Sequence, residues 1–146
     1  MAGEGARFRQ AGYVDLKPLI PINGKPMFQH VVENINIQFS EKIFIVQKQH
    51  NITTIIKKVY PTSTVIELNK PTQGAAETIL KAKAHFEDGS SIFIANCDQH
   101  VVWDSKNFIE KLKNSDGVIA IFYEPTKNKK WSYAKIKGIK VTSVAE

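Results

Sequence analysis

The sequence of 146 residues is poor in cysteine, with one, and in tryptophan, with two. A lone Cys97 excludes an internal disulfide and suits a reducing compartment. No apolar stretch approaches the roughly 18 residues that a membrane span needs, so no membrane partner is expected. The opening residues, Met1 to Gly5, lack the basic and apolar regions of a secretory leader, and a cytoplasmic location is the expectation. No Ser/His/Asp or Cys/His nucleophile set stands out. Cys97 and His100 have zinc-like spacing, yet no second ligand pair completes such a site. Acidic residues are also in the minority: 14 Asp and Glu against 20 Lys and Arg leave a net charge of +6. That excess favours an anionic partner, either nucleic acid or a small polyphosphate. Much of it sits at Lys127, Lys129, Lys130, Lys135, Lys137 and Lys140, which read equally well as a solvated basic face. Neither the aromatic pattern of an RNA-binding sheet nor a helix-turn-helix pattern is present. Nucleic acid is therefore not the expected partner, and a basic nucleic-acid-binding domain is kept only as a remote alternative.

What is present has the order of an α/β chain. The composition, 42% hydrophobic and 23% charged, is that of a soluble globular domain, and the length suits a single one. Short apolar runs at Lys42–Gln47, Ser91–Asn96 and Val118–Tyr123, with a weaker one at Thr64–Leu68, have the length and texture of parallel strands buried on both faces. Helical spacing separates them. Pro26 suits a first helical position ahead of Met27, Val31, Asn34 and Ile35. Ile52, Ile55, Ile56 and Val59 mark a second helix, stopped by Pro61, and Ala76, Ile79, Leu80 and Lys83 a third, running to about Phe86. Phe108, Ile109 and Leu112 mark a fourth, with Asp104 or Ser105 as its N-cap. The expected architecture is a layered α/β sheet. A glycine turn with no strand before it, and a final segment placed mid-way through a strand pair, suggest one domain over residues 1–146 that is incomplete at both ends.

Four constellations carry chemistry. Gly3-Glu4-Gly5-Ala6-Arg7 can turn tightly, aim backbone N–H groups at a phosphate and add a guanidinium fork. It is not a dinucleotide fingerprint, because the third glycine is missing and no helix is expected to begin there. Lys17, fixed by Pro18, can reach the same place and stabilise charge on a transferring phosphoryl group. Pro71-Thr72-Gln73-Gly74-Ala75-Ala76 enters a helix with small residues that admit a flat ring, or that simply pack helix on sheet. Asp98 follows the run Ser91–Asn96, at the strand end where open α/β sheets bind ligands, and its carboxylate suits Mg²⁺ beside phosphates.

In this order and spacing the first two constellations resemble the N-terminal signature of the nucleotide-sugar pyrophosphorylase-like nucleotidyltransferases, the sugar-phosphate nucleotidyltransferases. The matching positions are Gly3, Gly5, Arg7, Phe8, Lys17, Pro18, Leu19, Pro21, Gly24, Lys25, Pro26 and Met27. Ala6 departs from the family's Ser/Thr, and Leu16 from the proline often found before the lysine. The resemblance implies a three-layer, mostly parallel, Rossmann-like fold of the glycosyltransferase-A type. It implies transfer of NMP from an NTP to a sugar 1-phosphate or similar small molecule, as in nucleotide-sugar and capsular polysaccharide precursor synthesis. Arg7 and Lys17 would be catalytic. Ala2, Gly3, Glu4, Gly5 and Asn96 would meet the nucleotide, and Gln73, Gly74 and Ala75 its base. Asp98 would hold Mg²⁺. The segment ending at Glu146 resembles the part of the family's chain where a glutamate contacts the sugar hydroxyls, which would make Glu146 an acceptor contact. A second metal-binding aspartate of the family has no counterpart here, so a non-catalytic nucleotide-binding or regulatory module of the same fold is the main alternative. Homo-oligomeric assembly is left open.

Overall fold

The computed structural model describes residues 1–3, 5–86 and 89–145, and two compact units divide it, Met1–Trp103 and Asp104–Glu146. The first unit holds helix α1 (Ala6–Gln10), strands β1 (Pro21–Ile22) and β2 (Lys25–Pro26), helix α2 (Met27–Ile35), strand β3 (Ile43–Gln47), helix α3 (Thr53–Val59), strand β4 (Thr64–Leu68) and helix α4 (Ala75–Leu80). The second unit holds helix α5 (Ser105–Leu112) and the antiparallel pair β5 (Tyr133–Lys137) and β6 (Lys140–Ala145).

The centre of the first unit is a β–α–β crossover. Strands β3 and β4 pair in parallel, with Ile43 opposite Thr64 and Gln47 opposite Leu68. Helix α2 buries Met27, Phe28, Val31 and Ile35, which recur at helical spacing, and ends at Asn36 in the left-handed conformation that asparagine tolerates well. Helix α3 sets Ile56 against the sheet and stops at Tyr60, because the residue before Pro61 is driven away from helical geometry. Phe28, Phe44, Val46, Ile52 and Ile56 form the buried cluster, with Tyr60 and Cys97 packed at its margin. Phe44 stacks on Tyr60 at 5.6 Å between ring centroids, and Phe28 meets Phe44 edge-on at 5.9 Å.

Asn23 and Gly24 both have positive φ, 50° and 77°, and join β1 to β2 as a two-residue hairpin. The Asn-Gly pair is a strong signal for that turn, since both central residues must adopt left-handed torsions. The hairpin brings Ile20 to α2, whose first N–H, on Met27, donates to the Ile20 carbonyl at 2.9 Å. In the second unit Asp104 caps α5, its carboxylate accepting from the N–H groups of Lys106 and Asn107.

Two expectations are corrected. Ser91–Asn96 and Val118–Tyr123 have the apolar content of buried strands but run without ladder hydrogen bonds, and the only parallel pair among the described residues is β3–β4. Ile92 and Ile94 are 47% and 58% exposed. A strand exists only through a neighbour's hydrogen bonds, and hydrophobic content reports burial tendency rather than pairing. A helix also begins directly after the glycine turn, at Ala6, where none was expected. The Gly5 carbonyl accepts from the N–H groups of Phe8 and Arg9, so the glycine caps that helix from a left-handed position.

Phe28 is 1% exposed and touches two other rings, so its truncation leaves a void that neighbours fixed in a sheet cannot fill. Phe28→Ala should lower the free energy of unfolding by about 3–5 kcal/mol in urea denaturation. A loss below ~1 kcal/mol would mean that the cluster rearranges freely.

Candidate active site

Gln47 ends β3 and is 1% exposed, a burial that an amide tolerates only with a partner. Its Nε2 donates to the Ala2 carbonyl at 2.8 Å, which ties the first residues of the glycine turn to the carboxyl end of β3. Gly5 follows with φ 65°, and a Cβ at that position would lie 3.3 Å from the Cβ of Lys17. Backbone torsion and close approach both call for glycine at that point. Gly3 shows neither requirement: its φ is not positive, and a Cβ there would meet nothing within 4 Å.

Lys17 opens a short 3-10 turn, Lys17–Leu19, whose Pro18 is buried and anchors it. Its ammonium reaches Asp98 Oδ2 at 2.6 Å and sits 5.3 Å from the centroid of the Phe8 ring. The two side chains of the ion pair are 25% and 33% exposed. A pair that open to water adds little to stability; its consequence is positional. Asp98 lies in the turn after residues 91–96, and the preceding Cys97 packs against the hydrophobic cluster, where burial pushes its thiol pKa up. Cys97 and His100 therefore do not act together: the thiol is in the core margin, and the His100 ring stacks on His30 at 5.1 Å. Arg7 is exposed on α1, two residues after Gly5. Lys25, the other lysine of the motif, is held 2.6 Å from Glu33.

The small-residue loop leaves β4. Because β3 and β4 are parallel, it departs from the same sheet edge that receives Ala2, the edge where ligands of α/β sheets bind. The Gln73 N–H donates to the Glu77 carboxylate at 2.7 Å, and the Thr78 hydroxyl donates to the Gly74 carbonyl at 3.0 Å. Glu77 thus folds the loop back on α4, and this bond to Gln73, followed by Lys81, holds its carboxyl below the usual range. Gly74 is fully extended at φ 174°, a torsion open to any residue. A cavity of about 470 Å³ lies alongside, lined by Leu68, Asn69, Lys70, Pro71, Thr72, Glu77 and Lys81. Its walls are the residues flanking Gln73, Gly74 and Ala75 rather than those three themselves. Asn96 is exposed, its N–H donating to Gln99 Oε1 at 3.3 Å. Glu4 and Glu146 lie outside the described residues.

The structure therefore brings together Ala2, Gly5, Lys17 and Asp98, and sets Gln73–Ala75 on a separate loop of the same edge. Two contributors escape a reading of the sequence. Gln47 is visible there only as a polar residue closing an apolar strand, and Glu77 only as an acid three residues after Gly74, the spacing of a capping box.

A parallel strand pair whose carboxyl edge receives a glycine turn, with a lysine–aspartate pair beside that turn, has the layout of the α/β domains that bind ligands at that edge. The sequence profile of the MobA-like NTP transferase domain matches residues 1–133, and the chain belongs to that family. It is 29% identical over 123 residues to the 3-deoxy-manno-octulosonate cytidylyltransferase of Wigglesworthia glossinidia brevipalpis, an overlap of 82% of this chain and 50% of that protein. It is 27% identical over 129 residues to the bifunctional protein GlmU of Methanocaldococcus jannaschii, covering 82% of this chain and 31% of GlmU. A GlmU of Methanococcus maripaludis is 29% identical over 133 residues, 84% of this chain and 32% of that protein. The chain thus spans about half the cytidylyltransferase and about a third of each GlmU. No solved structure gives a significant match. No helix among the described residues is long and apolar enough to cross a membrane.

Two outcomes follow from this geometry. Gly5→Ala forces a side chain into a left-handed torsion and against Lys17, and should cost about 1–2 kcal/mol in chemical denaturation. It should weaken NTP binding as well, and an unchanged affinity would separate the turn from the phosphate site. His50, just beyond β3, has its pKa lowered from 6.5 by burial first and by Arg9 second. The unfolded chain takes up this proton as pH falls through 6.5 while the folded chain resists it, so stability present above pH 6.5 is lost below it. His50→Gln should flatten the fall in melting temperature between neutral and mildly acid pH, and an unaltered slope would assign that fall to other groups.

Proposed function

We propose that the chain is the nucleotide-binding part of a nucleotidyltransferase that moves NMP from an NTP to a sugar 1-phosphate or similar phosphorylated small molecule. The observation that carries the reading is Lys17 held on Asp98 beside the left-handed Gly5: one cation and one carboxylate at a glycine turn. Family membership and the name of one relative, a 3-deoxy-manno-octulosonate cytidylyltransferase, support the same reaction class. The complete domain would extend the β3–β4 pair into the three-layer, mostly parallel sheet of the glycosyltransferase-A type, in the cytoplasm and in the service of surface-polysaccharide precursors.

In the reaction, an oxygen of the acceptor phosphate attacks the α-phosphorus, the bond from that phosphorus to the bridging oxygen breaks, and pyrophosphate leaves with the electron pair. Such chemistry asks the protein for placement and charge neutralisation more than for covalent participation. Ala2, Gly3, Glu4 and Gly5 supply backbone around the triphosphate, Arg7 adds a fork for its oxygens, and Lys17 neutralises charge gathering at the α-phosphate. Gln73, Gly74 and Ala75 meet the base from the second loop, Asn96 the nucleoside, and Glu146 the acceptor.

Asp98 fits Mg²⁺ through its donor chemistry. One carboxylate oxygen engages Lys17, and no group of three or more His, Cys, Asp or Glu suited to a metal occurs among the described residues. A single carboxylate completed by phosphate oxygens and water is a usual magnesium shell. When bound there, Mg²⁺ supplies charge neutralisation for the phosphates.

NTP affinity should therefore rise on adding Mg²⁺, and Asp98→Asn should abolish that rise while leaving the fold intact. Lys17→Ala and Arg7→Ala should weaken NTP binding about 10-fold or more, and lower turnover of the complete enzyme further, as expected for lost charged contacts. Calorimetry with and without Mg²⁺ on the four proteins reads both effects. Equal enhancement in wild type and Asp98→Asn would leave Asp98 as a turn residue and remove the metal assignment.

A further inference from the structure

The turn that carries Asp98 is fastened to α2 by a contact that the sequence does not announce. Asn34 Nδ2 donates to the Val101 carbonyl at 2.9 Å, and the Val101 N–H donates to Asn34 Oδ1 at 2.9 Å. One carboxamide thus grips both polar groups of one residue, much as a neighbouring strand would. One turn earlier on α2, His30 Nε2 lies 3.2 Å from His100 Nδ1, with the rings stacked at 21°. Residues 100 and 101 are therefore both held by the same helix, at positions four apart that share a face.

On the other side of Asp98, Cys97 is packed against the buried cluster of Phe28, Phe44, Val46, Ile52 and Ile56. Asp98 and Gln99 are thus the short span between two fixed points. Helix α2 is itself anchored, since Met27, Phe28, Val31 and Ile35 are buried, so the grip refers the turn to the core. A side chain whose partners are satisfied on both sides transmits that rigidity, and such supporting bonds decide how well a ligand-bearing carboxylate is aimed.

We infer that Asn34 is a positioning residue for Asp98, holding its carboxylate where Lys17 and the nucleotide's metal meet. The inference rests on the assignment of Asp98 to the metal–nucleotide site. Asn34 itself touches neither nucleotide nor metal.

The test is calorimetric binding of whichever of ATP, CTP, GTP, UTP and dTTP gives the largest thermal shift, at a series of Mg²⁺ concentrations. It compares wild type, Asn34→Ala, Asn34→Gln and Asp98→Asn, with hydrogen exchange of the Val101 amide alongside. Asn34→Ala should bind the nucleotide as wild type does in the absence of metal, yet need ~10–100-fold more Mg²⁺ for half of the enhancement. The Val101 amide should lose protection in the same variant. Asn34→Gln keeps a carboxamide and should recover part of the shift. If Asn34→Ala does not fold, Asn34→Asp carries the test, because it keeps the acceptor arm to the Val101 N–H and removes the donor arm. A purely structural role would lower the melting temperature and the metal-free affinity together and leave the Mg²⁺ midpoint in place, which overturns the inference. An unshifted midpoint in a folded Asn34 variant, with enhancement lost in Asp98→Asn, overturns the inference alone. Enhancement retained in Asp98→Asn overturns the metal reading and the inference with it.

Discussion

Lys17 and Asp98 lie 81 positions apart in the chain and 2.6 Å apart in space, and most of the candidate site is arranged around keeping them so. The lysine is delivered by a 3-10 turn anchored on buried Pro18, and the aspartate by a turn that begins at half-buried Cys97. Gly5 lies against the base of the lysine side chain at a distance where a larger residue would press on it. Phe8 covers the ammonium from one side, a contact that holds the charge without neutralising it. An ion pair of this exposure contributes little energy of its own. It keeps a cation and a carboxylate adjacent while leaving both open to water.

That arrangement depends on a parallel strand pair. Only parallel pairing sends the carboxyl ends of β3 and β4 to one edge, so that the chain leaving β4 and the residues tied to Gln47 share it. Gln47 is the link between core and site: a buried amide in an otherwise apolar strand is costly without a partner, and its partner is the backbone at Ala2. The hydrophobic cluster below, with Phe28, Phe44 and Tyr60 in mutual ring contact, fixes the strand that carries it.

The second unit follows the same logic on a smaller scale. Glu124 accepts from the Thr126 hydroxyl, from the N–H groups of Asn128 and Thr126 and from the Tyr133 hydroxyl, and these bonds draw its pKa down to about 2. One carboxylate thereby organises the loop between residues 124 and 133 and leads it into β5. The lysines of this region, 127, 129 and 130, surround a loop whose shape is set by an acid.

Local pattern was enough for the helices α2, α3 and α5, for the Asp104 cap, and for strands β3 and β4, because each is decided by residues within a few positions of one another. It was also enough to name Gly5, Lys17 and Asp98 as candidates, since paired glycines ahead of an arginine, lysine before proline and aspartate after an apolar run are chemical statements in themselves. Local pattern failed at residues 91–96 and 118–123, where strand identity depends on a partner that periodicity does not see. The hairpin at Asn23-Gly24 was legible in principle and is settled by the two positive φ values. What only the tertiary structure decided is adjacency: Lys17 with Asp98, Gln47 with Ala2, Asn34 with Val101, His30 with His100. Each joins residues at least 45 positions apart, and no local propensity encodes such a meeting, because it exists only after the helices and strands have packed on a common core.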